Sequence, residues 1–309
     1  MPRSPATEVL KCSAPAPDLE RNDNQSAAAL TADGAKGHER NMTLSIAIAG
    51  AGGRMGRALV RAASDDARFI VCGGTERSDG QFLGIDLGAL AGMAPLMMNT
   101  SETPNLAADK AEVWIDFTAP DATIEALDAL VGTPVKGAII GTTGLSDEQE
   151  AQVVAHAKRI AIVRSGNFSL GVNLLAALVE QAAERLGADW DIEITEAHHR
   201  RKVDAPSGTA LLLGEAAAHG RKVKLSDARL KPHDGITGER KQGGIGFSAI
   251  RGGGIVGDHD VRFIAEREVL TLSHQAFDRA VFADGALAAA LWVADKPPGL
   301  YSMRDVLGL

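Results

Sequence analysis

Short apolar runs alternate with stretches of helical periodicity over residues 44–163. The apolar runs predict five buried strands, at residues 44–49, 69–72, 113–117, 136–140 and 161–163. The segments 54–64, 123–130 and 146–158 between them have patterns that suit helices. Strands and helices in alternation are typical of a parallel sheet with helices on both faces. This part of the chain therefore predicts an α/β domain with a Rossmann-type parallel sheet.

The pattern changes after Phe168. Residues 172–186, 207–218 and 278–294 predict helices, and residues 191–195 alternate, with Ile192 and Ile194 on the same side. Residues 243–250, 261–265 and 269–274 predict further strands. No helical pattern separates the last of these strands, which favours a mixed or antiparallel sheet. The sequence thus predicts a second, smaller α+β domain with a mixed sheet, and we expect the last helix to pack back on the first domain.

Residues 1–42 differ from the rest of the chain. They are rich in Ala, Pro, Ser, Asp and Asn and hold no sustained apolar period, so they predict a disordered N-terminal extension. A transit peptide is the alternative, although transit peptides are poor in the acidic residues that occur here. Met42 stands directly before the first predicted strand, and we hypothesise that translation of the native protein starts there.

Composition narrows the class of protein. Of 309 residues 45% are hydrophobic and 23% charged, as in a globular protein, and 34 are glycine. The net charge of −8 argues against a nucleic-acid-binding surface. The two cysteines, Cys12 and Cys72, have neither disulfide nor metal-ligand spacing, which favours a reducing cytoplasm and no metal site. No apolar run is long enough to cross a membrane, and no signal-peptide core precedes the first strand.

A glycine-rich turn stands between the first predicted strand and helix. Such a turn lets a pyrophosphate approach the backbone at a helix N-terminus, although a purely structural turn can have the same sequence. Glu76 follows the second strand, 26 positions after Gly50, where a carboxylate can bind the adenosine ribose. Arg77 suits a 2′-phosphate, so the pair suggests that both NADH and NADPH are accepted. The residues of the turn are Gly50, Ala51, Gly52, Gly53, Arg54, Met55 and Gly56.

Two further loops follow predicted strands at the edge where an open α/β sheet binds its ligand. The small and hydroxyl-bearing residues of both loops suit the nicotinamide and its ribose, although each loop alone is an ordinary turn. The candidate residues are Gly141, Thr142 and Thr143 in one loop and Ser165, Gly166, Asn167 and Phe168 in the other.

The segment 196–210 carries the most specific chemistry. It places five cationic or titratable side chains in succession, at 198–202, directly before a predicted helix that has Ser207 as its N-cap. A helix N-terminus beside a basic cluster suits a carboxylate or phosphate of a small ligand. Histidine can donate a proton near neutral pH, and lysine can steer an anion. A solvated basic loop is the structural alternative, and the absence of interleaved aromatic residues disfavours nucleic acid.

An ordered set of motifs resembles the dihydrodipicolinate reductase family, from about residue 43 to the end of the chain. The motifs are GAGGRMGR at 50–57, DFTAP at 116–120, GTTG at 141–144, SGNFSLGVN at 165–173, EAHHRRKVDAPSGTA at 196–210, GFSAIRGGGIVGDH at 246–259 and GLYSMRDVLGL at 299–309. The resemblance implies NAD(P)H-dependent reduction of 4-hydroxy-tetrahydrodipicolinate, a small dicarboxylate, in lysine and diaminopimelate biosynthesis. It also implies a homotetramer. The residues themselves, by their charge, cysteine use and apolar runs, favour a cytoplasmic protein that binds neither nucleic acid nor membrane.

The resemblance assigns roles to individual residues. His198 matches the proton donor and Lys202 the second catalytic residue, while His199, Gly208 and Thr209 match groups that hold the substrate carboxylates. The 50–55 turn, Glu76, Arg77 and the loops 141–143 and 165–168 match the cofactor contacts. It further implies that 43–168 and 278–309 form the dinucleotide-binding domain and 169–277 the substrate-binding and tetramerisation domain.

Two positions depart from the family pattern. Ala119 stands where many members carry a polar or charged residue, and Arg201 where some carry a third histidine. Two other functions remain open from the residues alone. One is another two-domain dehydrogenase of an amino-acid pathway, although a semialdehyde dehydrogenase would need a cysteine nucleophile after Cys72. The other is a non-catalytic NAD(P)-binding redox sensor, which would not be expected to keep both His198 and Lys202.

Overall fold

Two β-sheets organise residues 43–309, the part of the chain that the computed structural model describes. These residues belong to one compact unit. The disorder expected for residues 1–42 lies outside the described residues. Among residues 43–309, none of the helices combines the length and the apolar character needed to span a bilayer.

The first sheet has six strands, and all of its pairings are parallel. Successive side chains along its central strands point to opposite faces, so each face buries its own apolar cluster. The strand order is β10-β5-β4-β3-β1-β2. The strands are β1 (Leu44–Ile48), β2 (Phe69–Gly74), β3 (Val113–Asp116), β4 (Gly137–Ile140), β5 (Ala161–Arg164) and β10 (Gly299–Tyr301).

Helices cover both faces of this sheet, as the alternating pattern predicted. One apolar cluster joins Ile46, Ile139 and Val163 to α1 and α9, and the other joins Trp114 and Ile162 to α4 and α5. The helices of this half are α1 (Arg54–Ser64), α2 (Leu87–Ala91), α3 (Pro104–Ala107), α4 (Pro120–Ala129), α5 (Asp147–His156), α9 (Ala280–Val293) and α10 (Met303–Leu307). The Rossmann-type prediction is confirmed.

The second sheet is mixed, as predicted, with the order β7-β6-β8-β9. Strand β6 pairs parallel with β7 and antiparallel with β8, and β8 pairs antiparallel with β9. One face packs its apolar side chains, among them Ile192, Ile194 and Phe263, against helices α6 and α7. The elements are β6 (Asp191–His198), β7 (Ile245–Arg251), β8 (Gly257–Ile264), β9 (Val269–Ala276), α6 (Leu170–Arg185), α7 (Gly208–Gly220) and α8 (Leu225–Ala228).

Several element bounds differ from the sequence predictions. Strand β6 continues to His198, three residues beyond the predicted end, and β8 begins at Gly257 rather than at residue 261. Both extensions carry polar residues, which the apolar pattern did not include. The short helices α2, α3, α8 and α10 were not predicted, because four or five residues are too few to show a helical period, and β10 was not predicted either.

Candidate active site

A cleft of about 880 Å³ lies where loops at the carboxyl ends of the first sheet face the end of β6 and the start of α7. An open parallel sheet binds its ligands at this edge. Most of the predicted site residues line the cleft: Arg54, Met55, Gly141, Thr143, Ser165, Gly166, Asn167, Phe168, His198, His199, Lys202, Gly208 and Thr209. Gly50, Ala51, Gly52, Gly53, Glu76, Arg77 and Thr142 are absent from its lining.

The glycine-rich turn joins β1 to α1. Gly50 has φ +58°, a left-handed conformation that favours glycine. A Cβ at Gly56 would lie 2.2 Å from the carbonyl oxygen of Gly50, so the late third glycine lets α1 start close to the turn. Gly53 is the N-cap of α1, and no side chain caps this helix. The first-turn N–H groups therefore form a place where an anionic group can bind.

Glu76 closes the turn from the end of β2. Its Oε1 accepts a hydrogen bond from the backbone N–H of Gly52 at 2.6 Å. The side chain of Arg77 is 81% exposed, and its Nε lies 3.6 Å from Asp79 Oδ1. The carboxylate is thus fixed beside the turn, whereas the guanidinium extends into solvent next to it.

Asp116 ties together the loops after β3 and β4. It is fully buried, and its Oδ1 accepts hydrogen bonds from Thr118 N at 2.9 Å, Thr118 Oγ1 at 2.6 Å and Thr142 Oγ1 at 3.1 Å. Thr123 Oγ1 also donates to Thr142 Oγ1 at 2.8 Å. The hydroxyl of Thr142 is therefore part of this buried network, which fixes the backbone of the loop that holds Gly141 and Thr143.

His198, the predicted proton donor, ends β6 and is held by a buried carboxylate two residues earlier. Glu196 Oε2 lies 2.6 Å from His198 Nδ1, and the Glu196 side chain is 1% exposed. Arg251 donates to both carboxylate oxygens at 2.7 Å. Burial by itself raises the pKa of Glu196, but hydrogen bonds from Arg251 and His198 outweigh it and hold that pKa below its usual value. Glu196 is therefore ionised at neutral pH.

Ser207 caps α7 and connects it to a second histidine, His259, which is buried. Its Oγ accepts from Ala210 N at 3.1 Å and lies 3.0 Å from His259 Nε2. The rings of His259 and His198 meet edge to face, with centroids 5.2 Å apart. Burial, together with the nearby charge of His198, lowers the pKa of His259 to about 4. His259 is thus a neutral neighbour of the predicted donor.

The start of α7 offers free backbone donors to the cleft. Within residues 43–309, the N–H groups of Gly208 and Thr209 have no hydrogen-bond partner. The Oγ1 of Thr209 accepts a hydrogen bond from Asn167 Nδ2 at 2.9 Å. A helix N-terminus of this kind can bind a carboxylate.

Three arginines surround His199 at one end of the cleft. Arg54, Arg201 and Arg279 line a side pocket of about 430 Å³ together with His199, Gly254 and Val256, and its lining holds no acidic residue. Arg279 Nη2 lies 3.2 Å from His199 Nε2. Partial burial and the charges of Arg201 and Arg279 lower the pKa of His199. This end of the cleft therefore favours an anion.

Lys202 is held by its own loop. Its Nζ donates to Asp204 Oδ2 at 2.8 Å, and its side chain is 20% exposed. The hydrogen bond from Lys202 lowers the pKa of Asp204, which keeps this partner charged. The ammonium group is thus positioned at the cleft lining rather than free in solvent.

The sequence interpretation missed several residues of the site. Glu196 appeared only as the first residue of the segment 196–210, and Arg251, His259 and Arg279 were given no role. The strand alternation that places Ile192 and Ile194 on the buried face also places Glu196 there, and this signal could have identified it. Arg251 and His259 lie 55 and 63 positions further along the chain, so only the sheet brings them to Glu196.

Comparison with known proteins agrees with this arrangement. The dihydrodipicolinate reductase N-terminus family model matches residues 44–168, and the C-terminus model of the same family matches residues 171–307. A 4-hydroxy-tetrahydrodipicolinate reductase of Dinoroseobacter shibae is 54% identical over 266 residues, covering 85% of this chain and 98% of the relative. One of Parvibaculum lavamentivorans is 52% identical over 268 residues, covering 86% and 98%.

A solved structure has the same architecture. The dipicolinate-bound dihydrodipicolinate reductase from Paenisporosarcina sp. TG-14 superposes with a TM-score of 0.68 at 25% identity, covering 84% of this chain and 98% of that one. The family matches extend over both sheets and include every residue of the cleft. The chain therefore belongs to the dihydrodipicolinate reductase family.

Proposed function

We propose that this chain catalyses the NAD(P)H-dependent reduction of 4-hydroxy-tetrahydrodipicolinate to tetrahydrodipicolinate in lysine and diaminopimelate biosynthesis. Relatives that are about half identical to it over almost their whole length bear the name of this reductase. The main structural support is that one cleft contains residues of the second half, His198, Lys202, Gly208 and Thr209, together with the loops of the first sheet. The backbone N–H groups of Gly208 and Thr209 are free of partners among residues 43–309.

The residues around the glycine-rich turn fit a pyridine nucleotide. The uncapped first turn of α1 suits the pyrophosphate, and Glu76 beside it suits the adenosine ribose. The loops 141–143 and 165–168 would hold the nicotinamide side, with Asp116 fixing the first of them. When bound, the reduced nicotinamide supplies the hydride. The proposed enzyme uses both NADH and NADPH, because Glu76 suits an unphosphorylated ribose and Arg77 suits a 2′-phosphate.

The chain's own residues would bind the substrate and supply the proton. The N-terminus of α7, with Thr209, would hold one carboxylate, and His199 with the arginines near it would face the other anionic groups. Hydride addition to a cyclic imine-enamine brings one hydrogen nucleus with two electrons, so the ring gains one negative charge, which a further proton must neutralise. His198 would donate that proton as general acid, with Lys202 as its cationic neighbour.

The division of labour between the two halves is part of the proposal. Residues 43–168 and 278–309 would bind the dinucleotide, which is supported by the packing of α9 on α1 and by the pairing of β10 with β5. Residues 169–277 would bind the substrate and make the subunit contacts of a homotetramer. The outer face of the second sheet carries the exposed apolar side chains of Ile250 and Val269, which supports this surface as the contact. Light scattering of the purified protein tests the oligomeric state.

A cytoplasmic location is proposed from the use of cysteine, because Cys72 has a free thiol. Fractionation of cells that express the native gene tests the location.

A coupled assay tests the reaction. Aspartate semialdehyde, pyruvate and a dihydrodipicolinate synthase generate the substrate, and the oxidation of NADH or NADPH is followed at 340 nm. We expect rapid oxidation that depends on the synthase. If folded, cofactor-binding protein oxidises neither cofactor, the reductase proposal is wrong and a non-catalytic redox sensor becomes the better interpretation.

A further inference from the structure

We propose that Glu196 is a positioning residue for the reaction, which orients His198 for proton donation and at the same time fixes the Ser207 turn beside the substrate site. The inference rests on the proposed function, since it takes His198 as the proton donor. Glu196 itself does not line the cleft, so it would act through its two neighbours rather than by touching the substrate.

The position of Glu196 in the sheet is unusual for a carboxylate. Strand β6 buries alternate residues, first Ile192, then Ile194 and then Glu196. Glu196 lies directly opposite Ala249 of β7 and His259 of β8. Burying an ionised group at a position where the pattern calls for an apolar one costs free energy unless the charge is paired and hydrogen-bonded. Its presence here indicates a specific use.

Hydrogen bonds satisfy both carboxylate oxygens. Arg251 donates to each of them at 2.7 Å, in the bidentate geometry that fixes the plane of a carboxylate. The same guanidinium donates to the carbonyl oxygen of Asp204 at 2.6 Å, which ties it to the loop before α7. Arg251 therefore fixes the Glu196 carboxylate, and the carboxylate in turn positions the groups that it contacts, His198 and Ser207.

The contact with Glu196 sets which ring nitrogen of His198 holds its proton permanently. An ionised carboxylate only accepts hydrogen bonds, so the Nδ1 of His198, 2.6 Å from Glu196 Oε2, must carry a proton. This leaves Nε2 as the atom that gains and loses the catalytic proton. A Cβ at Gly257 would lie 3.1 Å from Nε2, so glycine at this position leaves room beside that atom. The proton moves from Nε2 to the substrate, and the proton on Nδ1 stays in place.

The second oxygen of the carboxylate holds the start of α7. Glu196 Oε1 accepts a hydrogen bond from the backbone N–H of Ser207 at 3.1 Å. Ser207 is the N-cap residue of that helix and precedes Gly208 and Thr209, which carry the free donors. One carboxylate thus fixes the proton donor and the anion-binding turn relative to each other.

The test compares Glu196→Gln with a matched control, Glu180→Gln. Glu180 also accepts hydrogen bonds from an arginine and a histidine, Arg304 and His219, but lies on α6 away from the cleft. We expect Glu196→Gln to lower kcat by about 10- to 100-fold, the range found when a carboxylate that orients a metal-bound histidine is changed, and to leave the KM for the cofactor within about twofold. Glu180→Gln should leave both constants within about twofold. Equal effects of the two variants would overturn the proposal.

A double-mutant cycle distinguishes an effect of Glu196 on the position of His198 from a general disturbance of the fold. In a His198→Gln background, Glu196→Gln should lower kcat by no more than about threefold, because His198, the group through which it affects proton donation, is already absent. A structural effect would lower kcat as much in this background as in the wild type, and that result would contradict the proposal.

Imidazole ¹⁵N spectra of the wild type test the contact without any turnover. The His198 signals are assigned by their loss in His198→Gln. We expect a protonated, hydrogen-bonded Nδ1 in the neutral ring, and a weaker hydrogen bond in Glu196→Gln. A neutral His198 that carries its proton on Nε2 would overturn the inference. The wild-type spectrum tests the contact between Glu196 and His198 even if Glu196→Gln does not fold. Inactivity of the wild type in the coupled assay would count against the proposed function alone.

Discussion

Asn167 donates a hydrogen bond from its Nδ2 to the Oγ1 of Thr209, at 2.9 Å. Asn167 belongs to the loop after β5 of the first sheet, and Thr209 to the first turn of α7, which packs on the second sheet. One residue was predicted to contact the cofactor and the other the substrate. The hydrogen bond brings the two predicted binding regions side by side, which is the geometry that transfer between two bound molecules requires.

Thr209→Val should weaken substrate binding. The change removes the hydroxyl that accepts from Asn167 and that can donate to a carboxylate, while the branched shape is kept. A hydrogen bond to a charged group contributes about 1.5–3 kcal/mol, so we expect the KM for the substrate to rise about 10-fold or more. The KM for the cofactor, measured in the same coupled assay, serves as the internal control. An unchanged substrate KM would remove Thr209 from the binding site.

His198→Gln should lower turnover by about 10²- to 10⁴-fold, because it removes the general acid and keeps a polar side chain of similar reach. Cofactor affinity should stay nearly unchanged, which fluorescence titration with NADH or NADPH would show. Full activity of a folded His198→Gln protein would exclude this residue as the proton donor.

Arg201→Ala should weaken the binding of an anionic ligand, whereas Arg200→Ala should not. Arg201 lines the arginine-rich side pocket, and Arg200 beside it is exposed and absent from the lining of both cavities. We expect the KM for the substrate or the cofactor to rise about 10-fold in Arg201→Ala, with less effect at high salt. The neighbouring arginine is the matched control for the loss of one positive charge. Identical constants for both variants would contradict the assignment.

Acid should destabilise the folded chain through His259. Its pKa is about 4 in the fold, against about 6.5 in an unfolded chain, so between these values the unfolded state binds a proton that the folded state does not. The free energy of unfolding therefore rises with pH across this window, and acidification from pH 7 to pH 5 should remove about 2 kcal/mol. His259→Asn should lose less over the same interval.

Urea unfolding of both proteins at pH 7 and pH 5, at one protein concentration, measures this difference. Burial also lowers the pKa of His274, and it contributes in the same direction in both proteins. The comparison with His259→Asn therefore isolates His259. Equal losses in the two proteins would show that His259 is not the buried neutral group described above.

Arg77→Ala should change the preference between the two nucleotides. The guanidinium is largely exposed beside the turn, with Asp79 3.6 Å away, and can reach a 2′-phosphate without competing for the ribose site of Glu76. We expect the KM for NADPH to rise about 10-fold and that for NADH to change less than twofold. Changes of similar size in the two KM values would mean that Arg77 does not bind the 2′-phosphate of NADPH.

The sequence predicted most of the fold because apolar runs identify buried strands. It placed the end of β6 too early, because Glu196 and His198 continue the alternation with polar side chains. Their partners, Arg251 and His259, lie on other strands, so the local pattern does not show them. The assignment of Thr142 as a cofactor contact stays a prediction, but the loop sequence gives no sign that its hydroxyl bonds to Asp116, 26 residues earlier. The positions and partners of such polar side chains depend on contacts between distant segments of the chain, and a local sequence pattern holds no information on those contacts.

The pairing of β10 with β5 and the packing of α9 on α1 have a consequence for biosynthesis. The first sheet takes its last helix and strand from the end of the chain, while β6, β7, β8 and β9 come from one continuous segment in the middle. On the ribosome, the second sheet is therefore fully synthesised before the first one is complete. Until α9 emerges, the apolar face around Ile139 and Val163 lacks its cover. A nascent or prematurely terminated chain would thus present that face to chaperones, proteases and other nascent chains.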